Sequence, residues 1–323
     1  MPTNENASLS ATQSYLLRKL LAWKLPIGIF AILIGFAFVE SRVISGANLR
    51  NIAVQGSYLA VFALAQSLVI LTRGFDLSLG FTVSLVSVVS AMVMVASGSA
   101  VAGIMAGFGV GLLVGGANGL LVGGIGLNPL VTTLGMANIA MALASTVSGG
   151  FPVSGLPDGF TATFAQSSFL GLPLQIWVVA ALFVLVWAML RATRFGRSLY
   201  IIGANPRAAV AAGINSFGCL VGAYAISSLI TAMGALLLTA RTSSGEPNLG
   251  GNLTLEAIAA AVVGGAKLSG GEGGVGSALM GALFVTVLSN GMNLIQLDGY
   301  IQQICLGAII VISLIVSRDN LRR

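Results

Sequence analysis

Charge is what this sequence has least of: across 323 residues only 7% are Asp, Glu, Lys or Arg. A soluble domain usually carries about 25%. Nine acids and fifteen bases cannot cover the surface of a soluble chain of this length, so lipid must cover it. Histidine is absent altogether, which removes imidazole-based zinc sites, Ser-His and Cys-His catalysis, and histidine proton relays. The two cysteines, Cys219 and Cys305, both lie in apolar runs, where no disulfide is expected and no catalytic role is implied. No Walker A sequence occurs, so the chain is not expected to hydrolyse ATP, nor does it carry any other catalytic constellation. The net charge of +6 comes without a basic patch interleaved with aromatics, which argues against nucleic acid as a partner.

What is present is apolar. Hydrophobic residues make up 56% of the chain, and the mean hydropathy is +0.99. Crossing about 30 Å of hydrocarbon takes about 20 helical residues. Candidate spans run over Leu20–Val39, Ile52–Thr72, Leu77–Ala96, Val101–Val122, Leu130–Val147, Leu174–Leu190, Ser216–Ala240, Leu253–Gly265, Val275–Ile295 and Tyr300–Val316. The eighth is too short to cross unaided and holds Glu256, so a broken or re-entrant element is expected there. The first run follows Arg18, Lys19 and Lys24 as a signal peptide would, but Glu40 and Arg42 stand where a cleavage site belongs. A retained first span, with its helix beginning near Leu16, is expected instead.

The bases carry topology. With a cytoplasmic N-terminus and ten crossings, twelve bases fall inside (Arg18, Lys19, Lys24, Arg73, Arg191, Arg194, Arg197, Arg207, Lys267, Arg318, Arg322, Arg323) and three outside (Arg42, Arg50, Arg241). Both termini are therefore expected in the cytoplasm. An outer loop, Ser148–Pro173, is rich in Gly, Pro, Ser and Thr. The inner loop Arg191–Asn215 is basic, and within it Ala208–Ala212 reads as a short helix opened by Asn205-Pro206 and closed by Gly213. A weak internal repeat relates DLSLGFTVSLVS from Asp76 to NLTLEAIAAAVV from Asn252, each followed by an Asn-Gly pair, Asn118-Gly119 and Asn290-Gly291. The span count gives the halves opposite orientations, as in many transporters.

Several motifs mislead. GEGGVG (Gly271, Gly273, Gly276) satisfies GxGxxG but lies between hydrophobic helices, and LSGGE and GGAKLS nearby are accidents of a glycine-rich turn. In the fourth span Gly103, Gly107, Gly111, Gly115, Gly119 and Gly123 recur every fourth residue. Each such step turns about 400°, so the stripe drifts about 40° per step. It is expected to meet a crossed helix or two successive neighbours. Arg73 and Asp76, at an inner turn, are expected to pair or, for Asp76, to cap the next helix.

TRGFDLSLG (Thr72–Gly80), LNPLVTTLGMANIAMALA (Leu127–Ala144), RFGRSLYIIGANPRAAVAAGI (Arg194–Ile214) and GGEGGVGSALMGALFVTVLSNGMNLI (Gly270–Ile295) together resemble the permease subunits of ribose-type monosaccharide ABC importers, in the branched-chain amino acid and sugar permease superfamily. The resemblance runs from about Leu25 to Val316. It implies an all-α polytopic fold of the vitamin B12-permease (type II ABC importer) kind, with an inverted repeat, in a bacterial inner membrane. The chain would be one permease domain over 1–323, with tails at 1–19 and 317–323 and a coupling loop at 191–215. Implied partners are cytoplasmic ABC ATPases, an extracytoplasmic solute-binding protein, a second permease copy or homologue, and membrane lipid; no cofactor or metal is implied. Gly203, Asn205, Pro206, Ala208, Ala209, Gly213 and Ile214 match the element that docks on the ATPase, while Arg207 departs from the family pattern.

A sugar pathway needs uncharged groups that donate and accept hydrogen bonds. Gln66, Ser78, Asn118, Asn138, Asn290 and Asn293 qualify by type and depth. An ion-coupled secondary transporter is the alternative of a different class, disfavoured by the lack of paired mid-membrane acids. An ABC permease for nucleosides or branched-chain amino acids is the alternative within the class.

Overall fold

The computed structural model describes residues 24–319. The expected helix start near Leu16, the tail 1–19 and the last residues of the C-terminal tail lie outside the described residues. The chain forms α1 (Lys24–Val39), α2 (Gly46–Leu71), α3 (Leu79–Ser97), α4 (Ala100–Gly119, continued by a wider turn over Leu120–Gly124), α5 (Pro129–Ser148), α6 (Leu174–Ala192), α7 (Arg194–Ala204), α8 (Pro206–Ala211), α9 (Ser216–Thr242), α10 (Leu253–Val263), α11 (Val275–Leu294) and α12 (Gly299–Asp319). Seven of these, α2–α6, α9 and α11, are long and apolar enough to cross a bilayer; α1, α10 and α12 hold shorter apolar stretches. The chain is thus a polytopic all-α membrane protein. Each expected span coincides with one of these helices. The loop Ser148–Pro173 instead folds into short turns and a small hairpin, β1 (Ser168–Phe169) with β2 (Leu172–Pro173).

Local chemistry sets the helix ends. Ser45 and Ser99 accept from the amides of Asn48 and Ala102 at the starts of α2 and α4, and Asn128 followed by Pro129 opens α5. Gly98 and Gly149 close α3 and α5 in the left-handed conformation. Beyond those ends, packing decides. Apolar on every face, α2 is the central helix and lies against α9, α10 and α11. Its residues from Ala60 to Ala65 are wholly buried.

The glycine stripe of α4 has two successive neighbours, the second of the two arrangements its drift allowed. A Cβ at Gly103 would strike Ser90 and Met94 of α3, and one at Gly107 would touch both α3 and α9. From Gly111 onward the contact is α9 alone: Ser228 and Ala232, then Tyr224, Val221 and Leu220. Small residues here let backbones approach as close as side chains normally do.

The eighth expected span is broken. At 11 residues α10 is about 16 Å long, half the hydrocarbon thickness. The irregular segment before it runs through protein, where hydroxyls replace water as backbone partners. Ser87 Oγ accepts from Glu246 N at 3.1 Å, and Ser84 Oγ accepts from Gly250 N at 3.1 Å. This is also where the two copies of the weak repeat meet. Gly80 N donates to Thr254 Oγ1 at 2.9 Å, and Gly80 and Gly250 touch backbone to backbone.

Candidate functional site

Three polar regions lie within the apolar bundle. The first is at the basic end, where α8 forms the expected short capped helix and α7, which was not expected, precedes it. Asn205 Oδ1 accepts from Arg207 N and Ala208 N, both at 3.1 Å, and Pro206 fills the first turn of α8. Gly213 (φ +72°) donates to Val210 O and Ile214 N to Ala209 O, each at 3.0 Å, which is a Schellman closure. The six residues of α8 leave Arg207, Ala208 and Ala211 exposed, with Val210 at 66%, while Ala209 is wholly buried against the protein. Of the matched alanines, then, only Ala208 is available to a partner. The neighbouring Val210, absent from the expected set, is the apolar group the surface presents.

This element is tied to the core by backbone. Gly203 abuts the Leu71 carbonyl and the Gly271 amide so closely that no side chain fits, and Gly271 N donates to Leu71 O at 2.9 Å. Arg73, held at φ +66°, donates from Nε to Gly203 O at 2.6 Å and from Nη2 to Ala204 O at 2.7 Å. These carbonyls end α7, and a guanidinium there meets the negative pole of the helix. Tyr200 on α7 donates its hydroxyl to Gly273 O at 3.1 Å; burial pushes that phenol up, and Arg191 partly offsets the shift. The end of α2, the end of α7 and the glycine-rich turn before α11 therefore form one knot. Glu272 in that turn pairs with Lys267 at 2.5 Å.

The expected Arg73–Asp76 pair does not form. Arg73 instead donates to carbonyls of α7, 130 and 131 residues away, while Asp76 is buried. Asp76 belongs to the second region. Its Oδ1 accepts from Ser78 N at 2.9 Å and Ser78 Oγ at 2.5 Å, so it stiffens the turn before α3; it does not cap the helix as the alternative expected, since both bonds go to Ser78 and none to an amide of α3 itself. Asn118 Nδ2 of α4 donates to the same Ser78 Oγ at 2.9 Å, joining the turn to α4. All three side chains are buried.

Of the six pathway candidates, the structure gathers few. Ser78 and Asn118 are interhelical glue. Asn290 forms a reciprocal amide pair with Asn48, at 2.8 and 3.0 Å, joining α11 to α2. Gln66 is wholly buried and neither amide atom bonds to a protein group. Asn138 is exposed on α5, its amide donating to Leu134 O of its own helix at 2.9 Å. Asn293 alone lines the third region, a cavity of about 500 Å³ between α2, α9, α10, α11 and α12, at the end of the bundle away from the knot. There its Oδ1 accepts from Gln302 Nε2 at 2.9 Å. The other polar residues of this cavity, Gln55, Arg241, Glu256 and Gln303 among them, come from helices far apart in sequence, and no local pattern joins them. Among the described residues no cluster of His, Cys, Asp and Glu could hold a metal.

The whole chain has known relatives. It is 32% identical over 295 residues to the ribose import permease protein RbsC of Bacillus subtilis, covering 91% of this chain and 92% of that protein. It is 33% identical over 279 residues to RbsC of Escherichia coli K12, covering 84% and 85%. With the galactose/methyl galactoside import permease protein MglC of Salmonella typhimurium it shares 33% over 329 residues, covering 94% and 97%. No solved structure matches. The model of the family described as branched-chain amino acid transport system / permease component matches residues 48–314. The knot, the irregular segment and the cavity all fall within that range, and the chain belongs to this permease family.

Proposed function

We propose that this chain is the membrane-spanning permease subunit of an ATP-binding-cassette importer for a monosaccharide. The observation that carries the reading is similarity along nearly the whole length to permeases named for ribose and for galactose import. In this reading α8 is the docking element for a cytoplasmic ATPase, which supplies the energy the chain has no motif to harvest. Its exposed Arg207, Ala208 and Val210, and its backbone tie to the central α2, support that role. An extracytoplasmic binding protein delivers the sugar at the other end.

The chain crosses ten times, α1, α10 and α12 included, with both termini in the cytoplasm of a bacterial inner membrane. The bias of bases toward the α7–α8 end supports this orientation. Contact between the two copies of the repeat, through the bond from Gly80 N to Thr254 Oγ1, supports an inverted repeat of the B12-permease kind. The chain works with a second permease copy or homologue. On α5, exposed Asn138 lies beside Gly135, which has nothing within 4 Å. A polar side chain is costly against lipid, which favours a protein or pathway neighbour for this face.

The test is reconstitution. With its ATPase and binding protein in proteoliposomes, the chain should accumulate labelled D-ribose or D-galactose only when ATP is supplied. Uptake by the chain alone that collapses with an uncoupler would establish a secondary transporter instead. A reporter at the C-terminus accessible from outside would refute the ten-crossing topology.

A further inference from the structure

One face of α6 packs on the core through Val179, Phe183, Val186 and Leu190, while Val184 and Leu185 are 63% and 67% exposed. Between α6 and α9, with α4 at the edge, a crevice remains. Two cavities, of about 290 and 210 Å³, follow one another along it and share Phe108 and Met233. Every residue lining them is apolar. On α6 the crevice runs from Met189, one turn from the helix end at Ala192, to Val178, a length of about 16 Å. Phe160 and Phe164 of the 148–173 loop line its far end. At the near end the first turn of α7 lies against α9: a Cβ on Gly222 would come within 2.8 Å of the Phe195 ring, and Ser198 lies beside Cys219. Arg194 is one turn before Ser198 and so shares its face. It is exposed and makes no ion pair among the described residues, and α6, α7 and α9 contain no acid to neutralise it.

We propose that this crevice seats one acidic phospholipid, with an acyl chain lying between α6 and α9 and the phosphate on Arg194. Length, width and charge fix the occupant. The crevice is about half as long as the hydrocarbon is thick, which is the depth of one leaflet and so of one acyl chain. Its two cavities hold about 500 Å³ over about 16 Å, a cross-section of about 30 Å². That admits a hydrocarbon chain and refuses a helix, which with its side chains is about 10 Å across. The walls offer no hydrogen bond, so a polar solute or an extended peptide has nothing to hold it. The base at the mouth selects the headgroup, because clustered bases beside membrane helices on the cytoplasmic side attract anionic lipid. The inference rests on the orientation proposed above, which puts α7 at the cytoplasmic face, and adds to the transport reading a lipid partner at a defined place.

Native mass spectrometry of the purified full chain tests it, after delipidation in detergent and titration with dioleoylphosphatidylglycerol or dioleoylphosphatidylcholine. One phosphatidylglycerol per protomer should stay bound under activation that strips phosphatidylcholine. Leu229→Trp fills the crevice with a larger side chain and should remove that adduct, as should Ile226→Trp nearer the mouth. Val184→Trp, on the exposed face outside the crevice, should keep it. Arg194→Gln should weaken phosphatidylglycerol binding about fivefold and leave phosphatidylcholine unchanged, the factor expected of one base near an anionic headgroup. Elution volume and far-ultraviolet circular dichroism verify that each variant folds. The proposal is overturned if both lipids are retained equally, or if the adduct survives both tryptophan variants. It is overturned too if those variants change the oligomeric state, which would assign the crevice to a second copy of the chain. Binding in detergent does not depend on orientation, so the two readings separate. An externally accessible C-terminal reporter with the adduct intact rejects the orientation and the leaflet but retains the lipid site.

Discussion

Gly203→Ala is the smallest change that should separate the α7–α8 segment from the core. The added methyl would overlap the Leu71 carbonyl oxygen and the Gly271 amide nitrogen, both of them backbone. Neither can swing aside as a side chain would, because the two are already bonded to each other at 2.9 Å. Ordinary carbon contacts need about 3.5 Å, so α7 must retreat from α2 by more than about 1 Å. That retreat stretches the Gly271–Leu71 bond and both Arg73 bonds to Gly203 O and Ala204 O, at 2.6 and 2.7 Å. Losing one neutral bond with its groups buried costs about 1–3 kcal/mol, and bonds to a charged group contribute about 1.5–3 kcal/mol each. Because Arg73 reaches solvent, water recovers part of its share, and the net destabilisation expected is about 2–4 kcal/mol. Gly109→Ala is the matched control, since that helical glycine has nothing within 4 Å. Thermal unfolding of the two variants in the same detergent should show a clear loss for Gly203→Ala and none for Gly109→Ala. Limited proteolysis should cut the α7–α8 segment faster in Gly203→Ala alone. Equal melting temperatures and equal proteolysis would refute the claim that this backbone contact holds the segment.

The two alanines of α8 should part company: Ala208→Glu, on the exposed face, should abolish ATP-coupled uptake at unchanged melting temperature, whereas Ala209→Glu buries a charge and should lower the yield of folded protein in a fluorescence size-exclusion assay. Gly115→Ala places a Cβ 2.6 Å from Ser228 Cβ and Tyr224 O and should cost about 1–3 kcal/mol of stability, while Gly116→Ala, with open space, should be silent in the same thermal assay. A double-mutant cycle on Asn48→Ala and Asn290→Ala should return a coupling of about 0.6–1.7 kcal/mol, and additivity would deny the reciprocal pair. The Arg42 guanidinium, bonded to Glu40 at 2.8 and 2.9 Å, holds that carboxyl at about 2, below the ordinary 4.5. The pair is therefore intact above 4.5 and lost as pH falls through about 2; carbon NMR should find the Glu40 midpoint well below 4.5 at low salt and back near it in Arg42→Ala.

Much of this protein is local, and what is local was legible in the residues. The scarcity of charge placed the chain in lipid, and apolar runs located every helix from α1 to α12 that could be a span, because hydrophobic length is set by bilayer thickness. Asn205, Pro206 and Gly213 announced α8, since capping joins residues two to four positions apart. The four-residue glycine spacing of α4 excluded a single straight neighbour, because the drift of the stripe is a property of one helix, and only the packing chose two successive neighbours over one crossed one. The tertiary structure alone decided which distant groups meet. Asn290 faces Asn48, 242 residues away, while Asn138, equally polar and equally deep by sequence, faces outward. Arg73 lay three residues from Asp76 yet bonds carbonyls 130 and 131 positions on. Glu256 and Arg241 share a cavity only because five helices close around it. Periodicity states which face of a helix is buried; it does not state against what, and in a bundle this apolar many faces can pack on many others. The close approach at Gly80 and Gly250, the knot at Gly203 and the paired amides choose among those packings, and each acts across the bundle rather than along the chain.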